Sequence, residues 1–337
     1  MGVKISDIIT RKQLEWDQLN DKVLAIDSSN MLFQFLSSIR QPDGTPLQDS
    51  KGNVTSHIVG LASRIPNLID KGIKPIFVFD GISPKLKKKE QERRMAVKEI
   101  AEEKFEAAEE EGNKELMLKY AKMSTRMTSE IVRESKELLS AMGLPVIQAP
   151  SEAEAQCAAI CKKKEAWAVV SQDYDCLLYG APRIIQNLTL SQKRRLSSGK
   201  TVTVIPEYIE LKEVLSELKL TQDQLIVLGI LVGTDFNIGG IKGIGQKKAL
   251  ALVQSGKKFE TIFKPLNPEF DWEEILDIFK NMPVTEEYDV NFKAADLDSV
   301  KSILESHDFS EERINSTLEK LKPKVKPQTS LDSWIKK

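Results

Sequence analysis

Seven acidic residues follow apolar segments of this 337-residue chain, and their chemistry suits work on phosphates. They are Asp27, Asp80, Glu152, Glu154, Asp173, Asp175 and Asp235. Gathering so many carboxylates raises their pKa values unless cations join them. Hard divalent cations such as Mg²⁺ prefer oxygen ligands, and a pair of them stabilises both the attacking and the leaving oxygen of a phosphoryl displacement. The pattern predicts a metal-dependent phosphotransfer or hydrolysis site.

Each of these acids, taken alone, has a simpler interpretation. Ser151 and Glu154 fit a capping box at the start of a helix. Asp173 and Asp175 are typical turn or N-cap residues, and the acids that end the first two apolar runs could likewise start turns. Only the joint pattern, acids after all four predicted strands, favours a metal site, and this pattern does not identify the substrate.

The elements that must position the acids alternate between strand and helix. The apolar runs predict strands at 23–27, 75–80, 144–148 and 167–173, with a further candidate at 183–188. Helical patterns lie between them at 30–38, 57–71 and 153–163. Uninterrupted apolar strands that alternate with helices indicate an α/β fold with a doubly wound, mostly parallel sheet. Ligands of such sheets bind outside the carboxyl ends of the strands, where the acids stand.

The chain divides into five predicted segments. Residues 1–82 and 143–220 form the α/β core, and 83–142 is an insertion of two charged helices that projects from it. Residues 221–321 are all-helical, and 322–337 are a linker and tail. The net charge is only −1, but seven basic residues stand in 85–98 beside two glutamates, and basic stripes of this kind bind phosphates.

Cysteine and histidine usage excludes several other chemistries. Three cysteines form no CxxC pair and are expected to be reduced core thiols of a cytoplasmic protein. The two histidines, His57 and His307, stand in ordinary contexts without a partner pattern, which excludes a histidine-based zinc site or a Ser-His-Asp triad.

No apolar run is long enough to cross a membrane, and no secretory signal is present.

The sequence closely resembles the flap endonuclease family of structure-specific 5′ nucleases over nearly its whole length. The motifs that carry the resemblance are at 23–35, 75–81, 149–157, 171–178 and 233–237. The resemblance implies a PIN-like 5′ nuclease core in which the seven acids surround two Mg²⁺ ions, or Mn²⁺ in their place. It also implies cleavage at the base of 5′ flaps in branched DNA, with 5′-3′ exonuclease activity, in Okazaki-fragment maturation and base excision repair. Which acids bridge the metals stays open.

The resemblance makes the insertion a helical arch, through or beside which the single-stranded flap passes. Lys87 and Arg94 match basic residues that face the scissile phosphate, and their spacing of two helical turns puts them on one face. Phe33 stands where many relatives have a tyrosine that stacks on a base, a role for which the ring suffices. Gly2 matches a small residue near the substrate.

The stretch 239–249 resembles a helix-hairpin-helix that grips duplex DNA by its phosphates, often with a K⁺ ion. Gly243 and Gly245 would let the DNA backbone approach, and Lys242, Lys247 and Lys248 would add charge. Such binding is indifferent to base sequence. The alternative is a simple glycine-capped helix junction.

The C-terminal residues resemble a peptide that binds the sliding clamp PCNA. Its anchors are Gln328, Leu331, Trp334 and Ile335. A tail of this length is more similar to archaeal than to eukaryotic relatives, so we expect a cytoplasmic monomer, or a nuclear one if the source is eukaryotic.

The sequence leaves two alternatives to a flap endonuclease. One is a related nuclease whose main activity is 5′ exonucleolytic or bubble-excising. The other is a non-catalytic DNA-binding scaffold tethered to the clamp, which the intact set of acids disfavours.

Overall fold

The computed structural model describes residues 2–188, 193–195 and 201–322, with the backbone alone described at 193–195 and 201–203. The strands in these ranges are β1 (Lys12–Gln13), β2 (Val23–Asp27), β3 (Lys74–Phe79), β4 (Val146–Gln148), β5 (Ala168–Val170), β6 (Arg183–Gln186), β7 (Lys193–Arg195), β8 (Thr201–Thr203) and β9 (Glu207–Glu210). The helices are α1 (Ser28–Ser38), α2 (Ser56–Asp70), α3 (Lys88–Glu110), α4 (Lys114–Met123), α5 (Ser129–Ala141), α6 (Ala153–Lys162), α7 (Asp175–Leu178), α8 (Leu211–Leu218), α9 (Gln222–Val232), α10 (Gln246–Gln254), α11 (Phe259–Phe263), α12 (Trp272–Asn281), α13 (Leu297–Ser306) and α14 (Glu311–Leu321).

The central sheet has the order β1-β9-β6-β5-β2-β3-β4. The pairs β2–β3, β2–β5, β3–β4 and β5–β6 are parallel, whereas β9 runs antiparallel to β6 and β1. The chain builds β3 and β4 on one side of β2 and then returns to build β5 on the other. The predicted α/β fold with a mostly parallel, doubly wound sheet is confirmed, and β2 lies at its topological switch point.

The apolar runs form strands because both faces of the sheet are buried. Ala25, Ile76 and Val78 pack into the core on one face. Leu24 and Phe77 pack into the core on the other face, so successive side chains alternate between two apolar environments. A strand covered on both sides has no polar face, which is why the sequence shows continuous apolar runs.

The predicted strands are present: β2 and β3 have the expected lengths, β4 and β5 are shorter than expected, and the candidate at 183–188 is the shorter β6. No apolar pattern predicted β1 and β9, which form the antiparallel part of the sheet. β1 has only two residues, and β9 reads Glu-Tyr-Ile-Glu. β1 is the edge strand on this side, and short, charged strands are typical of that position, where one side lacks a neighbouring strand.

The insertion at 83–142 contains three α helices, so the prediction of two charged helices is wrong. A short 3-10 turn, Lys85–Lys87, leads into α3, and the expected second helix is divided into α4 and α5. Asn113 caps α4 by accepting a bond from Leu116 N, and Thr128 caps α5 by accepting one from Ile131 N, both at 3.2 Å. These side chains satisfy the free N–H groups of each new first turn.

The last helix of the insertion does not project from the body. α5 packs against α2, and its Leu138 and Leu139 are fully buried in the core. Ile131, Ser135 and Leu138 recur at helical spacing and form the buried face. The expectation of a wholly projecting insertion is therefore wrong for α5, while the boundaries of the five segments stay predictions.

The region after Thr221 is helical, as predicted. Thr221 and Gln224 form a capping box at the start of α9, a helix whose residues 225–231 are all buried. Farther along, α13 packs on α5 and α14 on α2, so the C-terminal helices cover the core. None of the helices in the described ranges has the length and apolar character to span a bilayer.

The two histidines share an acidic neighbour, Glu134, which no spacing in the sequence indicated. His57 Nε2 lies 2.9 Å from Glu134 Oε2, and His307 Nε2 lies 4.0 Å from the other oxygen of the same carboxylate. The three residues come from α2, α5 and the end of α13, so only the folded chain brings them together. The cysteines are free and buried, as expected.

Candidate active site

A cleft of about 520 Å³ lies at the carboxyl ends of β2, β3 and β5. All seven acids singled out in the sequence line it, together with Lys87, Arg94 and Phe33. The acids follow different strands and helices, so the doubly wound topology is what assembles them. The predicted PCNA-binding anchors of the tail lie outside the described residues. They are Gln328, Leu331, Trp334 and Ile335.

Asp27 and Asp173 share the polar neighbours Asn30 and Ser171, each of which forms hydrogen bonds with both residues. Asp27 accepts bonds from Asn30 N at 3.0 Å and from Ser171 Oγ at 3.1 Å. Asp173 accepts bonds from Gly2 N at 2.9 Å and from Asn30 Nδ2 at 3.0 Å. Asp27 is thus the N-cap of α1, and the same residue lines the cleft. A role as a helix cap therefore does not exclude a role in the site.

The capping box proposed for Ser151 and Glu154 is not formed. α6 begins at Ala153, whose N–H donates to Asp80 Oδ1 at 2.7 Å, so the acid that follows β3 satisfies the helix start. Ser151 Oγ instead donates to Ile82 O at 2.9 Å. Glu154 is therefore free of a capping role and lines the cleft.

Burial and mutual repulsion disfavour the charged forms of several acids. Burial, followed by the charge of Asp80, raises the pKa of Asp27 to about 7. Burial, followed by the charges of Asp235 and Asp173, raises the pKa of Asp175 to about 7. Both effects also raise the pKa of Glu154 well above its ordinary value. Cations relieve such a conflict.

A donor set made only of carboxylate oxygens fits Mg²⁺ or Mn²⁺ and disfavours softer metals. In the part of the chain that the structure describes, no group of three or more His, Cys, Asp or Glu side chains is already arranged to hold a metal ion. Two side-chain cations lie among the acids instead. The assignment of metal ligands stays a prediction that rests on chemistry and on the shared cleft.

Lys87 and Arg94 both point into the cleft, as their spacing predicted. Lys87 Nζ contacts Glu152 Oε2 and lies 3.4 Å from Asp235 Oδ2. Arg94 Nη2 donates to the two carboxylate oxygens of Asp235 at 2.9 and 2.8 Å. Burial disfavours the charged form of Lys87, but the charges of Glu152 and Asp235 outweigh it and raise the pKa of Lys87.

One wall of the cleft is apolar. The ring of Phe33 is 41% exposed, and Lys98 Nζ lies 6.0 Å from its centroid. Val97, Met123 and Met127 from the insertion also line the cleft. An exposed ring beside cationic side chains suits the stacking of an unpaired base.

Gly2 lies beside Asp173 and Asp175, where a side chain would crowd the Asp175 carboxylate. A Cβ at this position would lie 2.7 Å from Asp175 Oδ2. The next residue fixes the same acid, because Val3 N donates to Asp175 Oδ1 at 2.8 Å. The small residue expected near the substrate therefore lies beside the acids.

Three polar residues around the cleft were not among the site residues that the sequence predicted. Asn30 and Ser171 hold Asp27 and Asp173, and Glu90 contacts Arg94. Asn30 and Ser171 stand within the motifs at 23–35 and 171–178, which was the available signal. Glu90 carried no signal, because it was one of two acids in a basic stripe.

The glycine-rich turn lies apart from the cleft and is exposed. Gly245 is the N-cap of α10, and Gly243 has φ +81°, a conformation that favours glycine. A Cβ at either glycine would meet nothing within 4 Å. The three lysines of the turn are exposed, and Lys248 Nζ donates to Gly243 O at 3.1 Å. The five predicted residues are brought together at one helix start.

Two family models match the chain. The XPG N-terminal domain matches residues 1–101, and the XPG I-region matches residues 143–235. Together they span more than half of the chain and include all seven acids. Fold and site thus define an α/β nuclease of the XPG class.

Full-length relatives narrow this class. The chain is 49% identical over 342 residues to flap endonuclease 1 of Pyrococcus furiosus, with 100% of each covered. It is similar in structure to flap endonuclease-1 from Methanococcus jannaschii, with 42% identity, a TM-score of 0.76, and coverage of 95% of this chain and 98% of that one. The catalytic core of Rad2 in complex with DNA substrate shares the fold, with 22% sequence identity and a TM-score of 0.66. The match covers 94% of this chain and 98% of that one. The chain belongs to the flap endonuclease family, and it is a structure-specific nuclease that hydrolyses DNA.

Proposed function

We propose that the cleft hydrolyses the phosphodiester bond at the base of a 5′ flap, with divalent metal ions as cofactors. One observation supports this most strongly. Seven carboxylates, an exposed aromatic ring and five side-chain cations, Lys87 and Arg94 among them, line a single cleft at the switch point of the sheet. A phosphate, its leaving group and an unpaired base are the partners that such a set of side chains would bind.

Two Mg²⁺ ions, or Mn²⁺ in their place, are the proposed cofactors. Their ligands would come from Asp27, Asp80, Glu152, Glu154, Asp173, Asp175 and Asp235. When bound, such a pair stabilises the attacking and leaving oxygens of an in-line phosphoryl displacement. Asn30 and Ser171 orient Asp27 and Asp173 by the hydrogen bonds described above, which keeps these carboxylates aimed into the cleft.

Lys87 and Arg94 would hold the scissile phosphate. Both carry positive charge into a partly buried cleft, where charges interact more strongly than in water. Fixed cations of this kind favour the transition state as charge develops on the phosphoryl oxygens. Phe33 would stack on the base beside the cut, and Gly2 would leave room for the substrate next to Asp175.

Selection of flaps would depend on surfaces outside the carboxylates. α3 and α4 border the cleft and would admit the single strand, which agrees with the basic and apolar side chains that they present. The turn that contains Gly243 and Gly245 would hold the duplex by its phosphates through backbone N–H groups, with Lys242, Lys247 and Lys248 nearby and a K⁺ ion.

The C-terminal anchors Gln328, Leu331, Trp334 and Ile335 would bind PCNA. Leu331 and Trp334 are three positions apart, so a helical turn would present both to one apolar pocket. Leu331→Ala combined with Trp334→Ala should abolish stimulation by the clamp and leave clamp-free cleavage unchanged. Undiminished stimulation of this variant would exclude the tail as the clamp-binding site.

These activities suit a role in Okazaki-fragment maturation and base excision repair, with a 5′-3′ exonuclease as a secondary activity. We expect a monomer in the cytoplasm of an archaeal cell.

The test is a side-by-side assay of flap, nick, bubble and hairpin substrates, with and without Mg²⁺. We expect the fastest cleavage on the flap, at its base, and none when a chelator removes the metal. Preferred cleavage of bubbles or of nicked ends would favour the related nucleases instead. Binding without metal-stimulated hydrolysis of any branched DNA would favour a scaffold.

A further inference from the structure

Glu90 is a buried carboxylate in a helix that is otherwise largely exposed. It is the third residue of α3, and only 4% of its surface is exposed. Its neighbours in the basic stripe include Lys88 and Lys89, which are exposed. A buried carboxylate on a surface helix is costly unless it is paired, so its contacts need an explanation.

Two arginines hold the Glu90 carboxylate from the same helix. Arg93 donates to both of its oxygens, from Nε and from Nη2, each at 2.7 Å. Arg94 Nε donates to Glu90 Oε1, also at 2.7 Å. The bonds from Arg93, and then those from Arg94, lower the pKa of Glu90 to about 2, so the carboxylate is charged at neutral pH.

Arg94 is bound at two edges of its planar guanidinium. Its Nε faces Glu90 on its own helix, and its Nη2 faces Asp235 across the cleft. A guanidinium has five N–H donors in one plane, so a bond at Nε fixes the orientation of the remaining donors. Without that bond, the long side chain would sample several rotamers, and the orientation toward the cleft would be lost for part of the time.

We propose that Glu90 is a positioning residue, which holds the guanidinium of Arg94 in the orientation needed to meet the scissile phosphate. Arg93 supports it by donating to both oxygens of the carboxylate. The inference rests on the proposed function, since it takes Arg94 as the group that contacts the phosphate.

A purely structural role predicts a different set of results. An acid in the first turn of a helix interacts favourably with the helix dipole, and this alone would explain a glutamate here. Glu90→Asp separates the two roles, because it keeps the charge at the helix start but withdraws the carboxylate by one bond length. Glu92→Asp is the matched control, since Glu92 lies on the same helix, is exposed, and pairs only weakly with Lys88 at 3.7 Å.

The experiment measures single-turnover cleavage of a 5′ flap with Mg²⁺, together with flap binding and thermal unfolding. We expect Glu90→Asp to slow cleavage about 10²-fold, the cost typical of a misplacement near 1 Å, with binding and unfolding unchanged. Glu92→Asp should cleave at the wild-type rate. Wild-type cleavage by Glu90→Asp, while Arg94→Ala is slow, would overturn the inference and leave the proposed function intact.

A double-mutant cycle tests whether Glu90 acts through Arg94. The variant with both Glu90→Asp and Arg94→Ala should be no slower than Arg94→Ala alone. Multiplied effects would mean that Glu90 acts independently of Arg94, which contradicts the inference. A wild-type rate for Arg94→Ala alone would instead remove Arg94 from the reaction, so failure of the proposed function is recognised separately.

Discussion

The cleft and the glycine-rich turn are both suited to phosphates, yet they are built in opposite ways. In the cleft, Lys87 and Arg94 are partly buried and held by ion pairs with acids. At the turn, Lys242 and Lys247 are exposed, and glycines leave the backbone open at the start of α10. Charges in the first region have fixed positions, whereas those in the second are surrounded by solvent.

This difference indicates different uses of the same interaction. Fixed charges in a partly buried site interact strongly and can distinguish a transition state from a ground state. Exposed charges are screened within about 8 Å at physiological salt and contribute mainly to association. We therefore expect changes in the cleft to alter the rate of cleavage, and changes at the turn to alter affinity and its dependence on salt.

The largest effect is expected from Asp173→Ala. Removal of a proposed metal ligand should slow single-turnover cleavage on the order of 10³-fold or more, which corresponds to about 4 kcal/mol of lost transition-state stabilisation. Flap binding should remain, because the turn is unchanged. Asp298→Ala, an exposed acid of α13, is the control. Normal cleavage by Asp173→Ala would refute the assignment of the site.

Lys87→Ala should have the next largest effect. The loss of one fixed cation at the phosphate is expected to slow cleavage about 10²- to 10³-fold, as for the removal of a transition-state donor elsewhere. Lys88→Ala serves as the control, since the Lys88 side chain is 77% exposed and pairs with Glu92. Equal effects of the two substitutions on a rapid-quench assay would mean that the position of the charge is unimportant.

A smaller effect is expected at the turn. Lys242→Ala and Lys247→Ala should weaken binding to duplex DNA and lower the salt dependence of the affinity by about one unit of slope for each lost phosphate contact. Cleavage at saturating DNA should keep its wild-type rate. Lys212→Ala on α8 is an exposed control. If the turn variants instead cleave slowly at saturation, the division of labour between the two regions is wrong.

The smallest effect concerns pH and metal in the cleft. The pKa values of Asp27 and Asp175 lie at about 7, above their ordinary value of 3.8. Their protonated forms therefore contribute stability that is complete below about pH 4 and is lost as the pH rises through about 7. Mg²⁺ binds the ionised forms, so it should stabilise the protein more at about pH 8 than at about pH 5.5.

Thermal unfolding measures this difference. We expect the rise in Tm caused by Mg²⁺ to be larger at the higher pH by about 2 °C or more. An equal rise at both values would mean that the buried acids do not bind the metal. The glycine-rich turn contains no acid from 236 to 259, so its substitution should leave the pH dependence unchanged.

The sequence predicted the centre of the fold better than its edges. The strands β2, β3, β4 and β5 are buried on both faces, so their apolar runs could be recognised, and with them the acids at their carboxyl ends. The antiparallel strand β9, which pairs with the edge strand β1, begins and ends with glutamate, and no apolar run marks it. The division between α4 and α5 depends on caps at Asn113 and Thr128, which are small local signals within a charged segment.

Contacts between distant parts of the chain could not be predicted. Asn30 and Asp173 are 143 positions apart, and Arg94 and Asp235 are 141 apart. Glu90 is held by Arg93 and Arg94, and no pattern in a charged helix distinguishes this buried acid from its exposed neighbours. The pairing of His57 with Glu134 likewise required α2 and α5 to pack together.

We expect the carboxylates of the cleft to bind the divalent metal that the reaction uses. Equilibrium binding of Mn²⁺, followed by electron paramagnetic resonance, tests it without reference to cleavage. Two ions should bind each wild-type chain, and Asp175→Asn should bind fewer or bind them more weakly, while Asp298→Asn binds as the wild type does. Equal binding by Asp175→Asn and the wild type would contradict the account.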